Sequence, residues 1–153
     1  MRAVLQNVKQ AEVAADSGNG LRTVSRIGRG LVVLVGIRAD DSPGDCRLIA
    51  DKIAHLRVFP DSAGRLNLSI LDLGGQALVV SNFTLYGDAR KGRRPSFSES
   101  ASGPLAQELY LALCRNLIDL GVPTCQGAFG KHMEISLIAN GPVTTLLDSR
   151  RQF

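Results

Sequence analysis

The run LVVLVGI at residues 31–37 contains no polar side chain. Successive residues of a strand point to opposite faces, so such a run has no face to show to water. It predicts a strand in the middle of a sheet that is covered on both sides. QALVVSNFTL at 76–85 predicts a second central strand, with hydroxyl and amide groups only towards its end. These two segments demand a sheet with substantial packing around it, and the remaining elements are read as that packing and its edges.

The opening alternates well enough for strands at about 2–8 and 10–15, followed by a turn over DSGNG at 16–20 and a strand at 22–27. Pro43 and Asp45 open a helix whose core stripe is Ile49, Ile53 and Leu56, ending before Pro60. DSAG at 61–64 turns the chain into LNLSI, where Leu66, Leu68 and Ile70 alternate as a strand. Residues 87–100 read as an exposed polar loop. Ser102 caps a second helix with Pro104 in its first turn and Leu105, Leu109, Leu113, Leu117 and Leu120 as its buried face. MEISLIA at 133–139 and a short segment at 143–148 read as the last two strands. Hairpins dominate the start and helices arrive only as crossovers. The predicted fold is therefore α+β, one domain over 1–153, with an antiparallel or mixed β-sheet or barrel and two main helices.

A length of 153 residues suits one core. A composition that is 44% hydrophobic and 21% charged is globular, and a net charge of +4 is compatible with a polyanionic partner. Cys46, Cys114 and Cys125 are an odd set without CxxC spacing, which indicates neither a zinc ribbon nor a disulfide framework. His55 and His132 stand alone, so no metal is expected, and neither a dinucleotide fingerprint nor a Walker sequence indicates a cofactor. No segment reads as a signal peptide or bilayer span, which leaves the cytoplasm as the expected compartment and no membrane partner. An enzyme with these residues would suit a reaction that needs little side-chain chemistry. An activated ester qualifies, because its carbonyl mainly requires positioned water and donors for the oxyanion.

Three blocks in register resemble the D-aminoacyl-tRNA deacylase family of bacterial and eukaryotic type: MRAVLQNV at 1–8, SNFTLYGDARKGRRPSF at 81–97, and FG at 129–130 followed by NGPVT at 140–144. NLSILDLGG at 67–75 is similar as well. The resemblance implies a homodimer that hydrolyses the ester of D-aminoacyl-tRNA, and also of glycyl-tRNA, in a site at the subunit interface. It implies that Ser81, Phe83 and Thr84 of one subunit line the site together with Asn82, Leu85 and Tyr86. Gly141 and Pro142 of the other subunit would enter it through a cis bond, their carbonyls facing the α-carbon and excluding L side chains. Phe129, Gly130, Met133, Asn140, Val143 and Thr144 would complete the substrate pocket.

Ser81 and Thr84 are read as orienting groups, since no base is spaced to make either a nucleophile, and the N–H groups of Phe83 and Thr84 as oxyanion donors. Arg90, Lys91, Arg93 and Arg94 follow the site directly and read as a phosphate clamp for the acceptor end of tRNA. The chain departs from the family at Asn7, where an arginine usually latches the Gly-Pro carbonyls, at Asn82 in place of glutamine, and at Ala139 before Asn140. Two other functions fit the same residues: an editor of L-alanyl-tRNA, and a nucleic-acid-binding module without turnover.

Overall fold

β3 (Gly30–Gly36) lies between an antiparallel neighbour, β1 (Arg2–Asp16), and a parallel one, β6 (Gln76–Ser81). The computed structural model describes residues 1–16, 18 and 20–152, so the turn read over 16–20 falls partly outside the described residues. Leu31, Val33 and Val35 face one cluster, formed with α1 (Pro43–His55) and α3 (Gly103–Asp119). Val32 faces a second cluster with Val8, Ala11, Val13, Ile27, Leu78 and Val80. The two-sided burial expected of residues 31–37 is therefore what organises the core. Among the described residues no helix is long and apolar enough to cross a membrane.

The parallel pairing begins at a very close approach. A Cβ on Gly30 would lie 1.8 Å from the Gln76 carbonyl oxygen, so only glycine fits where β3 and β6 meet. β6 is flanked in turn by β7 (Thr124–Gln126), also parallel, a strand too short for periodicity to reveal. β2 (Leu21–Ile27) pairs with the second half of β1. The Ser25 hydroxyl then donates to the Gln126 carbonyl at 2.5 Å, drawing β2 towards β7 and nearly closing a mixed barrel. β8 (Met133–Asp148) covers the other edge of β1 along almost its whole length.

Several expectations change. The two opening strands are one continuous β1, and 133–139 and 143–148 are one β8 whose register with β1 shifts opposite Asn7. β4 (Phe59–Pro60) and β5 (Leu66–Leu68) form a small separate ribbon. Ile70 is not in that strand but opens α2 (Ile70–Leu73). Ser69 stops the strand: its hydroxyl accepts from Asp72 N at 3.1 Å, and the Asp72 carboxylate accepts from Ser69 N at 2.9 Å. On α3 the buried face is Ala106, Leu109, Tyr110, Leu113, Cys114 and Leu117, whereas Leu105 and Leu120 at its two ends are exposed.

Asn7 is buried, and its amide donates to the Val58 carbonyl at 2.6 Å. In this chain the residue ties β1 to the loop after α1, which is a structural duty. Asn7→Ala removes the donor and leaves that carbonyl unpaired. A loss of about 1–3 kcal/mol in unfolding free energy is expected, read from the urea midpoint at unchanged m-value.

Candidate active site

β6 ends at Ser81, which is paired with Val35, and not at Leu85 as the sequence suggested. The amide of Asn82 ends it. Its Oδ1 accepts from Thr84 N at 3.2 Å and from the Thr84 hydroxyl at 2.5 Å, capping a 3-10 turn over Phe83–Tyr86. This occupies the Thr84 N–H, so it is not available as an oxyanion donor. Among the described residues the Phe83 N–H has no acceptor.

Ser81, Asn82 and Phe83 form one wall of a cavity of about 660 Å³. Val35 and Ile37 line it from β3 and the residue beyond. A second wall is the entry to α3, Ser100 to Gly103 with Ala106, and the third is Phe129 to Met133. The third wall is fixed by the Val79 carbonyl, which accepts from Gly127 N and from the Tyr110 hydroxyl, both at 2.8 Å. Tyr110 also packs on Phe129 with ring centroids 5.5 Å apart. Phe83 is 57% exposed and meets Phe97 edge to face at 5.2 Å, giving the cavity an aromatic flank suited to a planar ring.

The cavity gathers Ser81, Asn82, Phe83, Phe129, Gly130 and Met133, and it leaves the other expected residues outside. Thr84 is exposed on the 3-10 turn, and Leu85 is half-buried. Tyr86 is buried beneath the Arg2 guanidinium, 4.7 Å above its ring, so the ring is not presented for stacking. Asn140, Gly141, Pro142, Val143 and Thr144 lie on β8, beyond β1, and line no part of this cavity. The Gly141–Pro142 bond is cis, as the resemblance implied, and both residues are exposed.

The four cations of the loop are not equivalent. Arg90 grips Asp88 through Nε and Nη2, both at 2.8 Å, and that grip with the Arg90 N–H holds the Asp88 carboxyl well below the usual carboxylate range. Asp88 and Ser96 exchange backbone hydrogen bonds of 2.8 and 2.9 Å, closing the loop at its base. Lys91, Arg93 and Arg94 are exposed and have no ion-pair partner among the described residues. Neither helical thiol supplies a nucleophile. Burial pushes Cys46 up to about 11, helped by the carboxylates of Asp41 and Asp45, and burial pushes Cys114 up to about 12. Among the described residues no group of three or more His, Cys, Asp or Glu is placed to hold a metal ion.

Sequence reasoning missed Phe97, the α3 entry, Lys131 and His132. Phe97 carried a signal, as an aromatic residue inside a polar loop. Lys131 and His132 carried another, lying between two residues already assigned to the pocket.

Comparison with known proteins bears on the same segments. The sequence matches the D-Tyr-tRNA(Tyr) deacylase family over residues 4–148. The chain belongs to that family. It is 52% identical over 153 residues to a D-aminoacyl-tRNA deacylase of Desulforudis audaxviator (strain MP104C), covering 100% of both chains. It is 50% identical over 156 residues to one of Thermosipho africanus (strain TCF52B), again covering 100% of both. Among solved structures, the c-Myc DNA Unwinding Element Binding Protein superposes with a TM-score of 0.87 at 33% identity, over 97% of this chain and 98% of that one. The family match runs through all three cavity walls and through β8.

The Asn82 cap makes a local prediction. Asn82→Ala frees the Thr84 N–H, so its amide should exchange faster with solvent while exchange in β3 and β6 stays unchanged, as read by amide hydrogen exchange.

Proposed function

We propose that the chain hydrolyses the ester joining a D-amino acid to the 3′ end of tRNA, releasing the free amino acid and the intact tRNA. The observation that carries this is the family match across residues 4–148, which takes in the cavity between Ser81–Phe83 and Phe129–Met133. The available groups suit such an ester. Water adds to the carbonyl carbon, the Phe83 N–H faces the developing oxyanion, and the C–O bond to the ribose then breaks as the leaving oxygen takes up a proton. Ser81 and the vicinal 2′-hydroxyl of the terminal ribose orient the water. Thr84 forms no acyl intermediate, because its hydroxyl already donates to Asn82 and no base adjoins it.

Chiral selection belongs in this reading to a homodimer. Gly141 and Pro142 are exposed and line no part of their own chain's cavity, which fits their entering the site of a second copy. Asn140, Val143 and Thr144 travel on the same segment. Backbone atoms facing the α-carbon reject an L side chain whatever its chemistry, and the glycyl ester passes because it has none. Lys91, Arg93 and Arg94 contact acceptor-stem phosphates, with Arg90 shaping the loop through Asp88. A tRNA substrate goes with the cytoplasm. The likeness to a protein named for DNA binding favours a second reading, nucleic-acid binding without turnover.

Single-turnover hydrolysis of D-Tyr-tRNA, L-Tyr-tRNA, Gly-tRNA and L-Ala-tRNA separates these readings. Rapid loss of the D and glycyl esters with L-Tyr-tRNA spared is the expected result. Rapid loss of the L-alanyl ester would point to the L-alanyl editor, and binding without any loss to the second reading. Gly141→Ala places a Cβ 2.6 Å from Val143 N at a φ of +138°, where L residues are strained. It should lower kcat/KM for D-Tyr-tRNA by about 100-fold through misplacement of the segment. Thr84→Ala should retain turnover, and trapping of an acyl-protein in the unmodified enzyme would overturn direct attack by water.

A further inference from the structure

The cavity wall at Phe129–Met133 carries, between residues already expected in the pocket, cationic and hydrogen-bonding groups that the ester chemistry leaves unused. Lys131 and His132 both line the cavity, on the side facing Ser81–Phe83. Among the described residues no carboxylate lines it, and Lys131 is its one permanently charged group. Among the described residues neither side chain has an ion-pair or hydrogen-bond partner. Arg90 is the contrast, since its charge is already met by Asp88.

The backbone carrying the pair is anchored on both sides. Lys131 N donates to the Ala128 carbonyl at 3.2 Å, and the His132 carbonyl accepts from Asp16 N at 3.3 Å. Lys131 with only donors to offer, and His132 with an N–H in either protonation state, are thus held at the edge of a cavity that has no counter-anion among the described residues. A volume of about 660 Å³ lies within the range that accommodates a nucleoside-sized ligand. The Phe83–Phe97 pair supplies its aromatic flank.

We propose that Lys131 and His132 bind the phosphate attached to the 5′ side of the terminal nucleoside, so that the cavity reads the last nucleotide of the acceptor strand and not only its ester. The inference rests on the deacylase reading above, which supplies the nucleoside. Lys131 provides the charge and His132 a directed N–H, a combination that recognises a phosphodiester without reading a base. This contact is separate from the loop cations Lys91, Arg93 and Arg94, which reach phosphates further along the strand.

The test uses two minimal substrates, 3′-O-(D-tyrosyl)adenosine with and without a 5′-phosphate. In the unmodified protein the phosphate should lower KM about tenfold. In Lys131→Met/His132→Asn that ratio should fall to near one. The urea midpoint of this variant checks folding, and Lys131→Arg with His132 kept should restore most of the ratio. An unmodified protein with equal KM for the two esters overturns the proposal. A double variant in which both KM values or both kcat values change together, with the ratio kept, also overturns it, because the residues then act at the ester or nucleoside. Hydrolysis of neither ester by the unmodified protein would sink the deacylase reading itself, and this inference with it.

Discussion

The parallel contact between β3 and β6 fixes more of this molecule than any other. It begins where Gly30 lies against the Gln76 backbone. It continues with both strands presenting alternate residues to separate clusters, Leu31, Val33, Ala77 and Val79 to the helices and Val32, Leu78 and Val80 to the barrel interior. Because the pairing is in register to its end, Ser81 lies beside Val35 at the edge of the cavity. A shift of one residue would exchange the two faces and turn the Ser81 side chain to the other side of the sheet. The position of the site is thus a consequence of how two apolar strands share a buried boundary.

The Val79 carbonyl extends that control sideways. By accepting from both Tyr110 and Gly127, it links the sheet to α3 and to the chain leading into Phe129. Two cavity walls therefore refer to one backbone oxygen on β6. Buried polar groups need partners, and a carbonyl with two lone pairs is well suited to join elements that periodicity treats as unrelated.

What was legible in the sequence follows from which forces leave a period. β3, α1 and the centre of α3 were read correctly because burial on both faces imposes a continuous apolar run and burial on one face a helical stripe. The strand ends were not. Ser69 and Asn82 stop their strands through local side-chain hydrogen bonds, which compete with the ladder and leave no periodic mark. β7 is three residues long and relies on β6 for its existence. Of the residues that line the cavity, Ser81–Phe83, Phe129, Gly130 and Met133 had been named through family resemblance. Phe97, Lys131 and His132 were passed over because solvent-facing residues of a cavity carry no burial signal. Asn7 was read only as a departure from the family's latching arginine, and the structure shows its amide donating to the Val58 carbonyl.

The pairing of β1 with β8 has a consequence for how the molecule is made. Arg2 lies opposite Asp148, and Ala15 opposite Met133, so during synthesis β1 waits for β8, which follows it after all the other strands described. Contacts this distant along the chain close slowly. Until β8 emerges, β1 stands with one full-length edge unpaired, a template for association with other nascent chains. The cavity wall at Phe129–Met133 leads directly into β8, so it too is added after the central strands. A chain stalled before Phe129 has the strands of its central sheet but lacks one wall of the cavity, so the pocket is completed after the sheet that positions it.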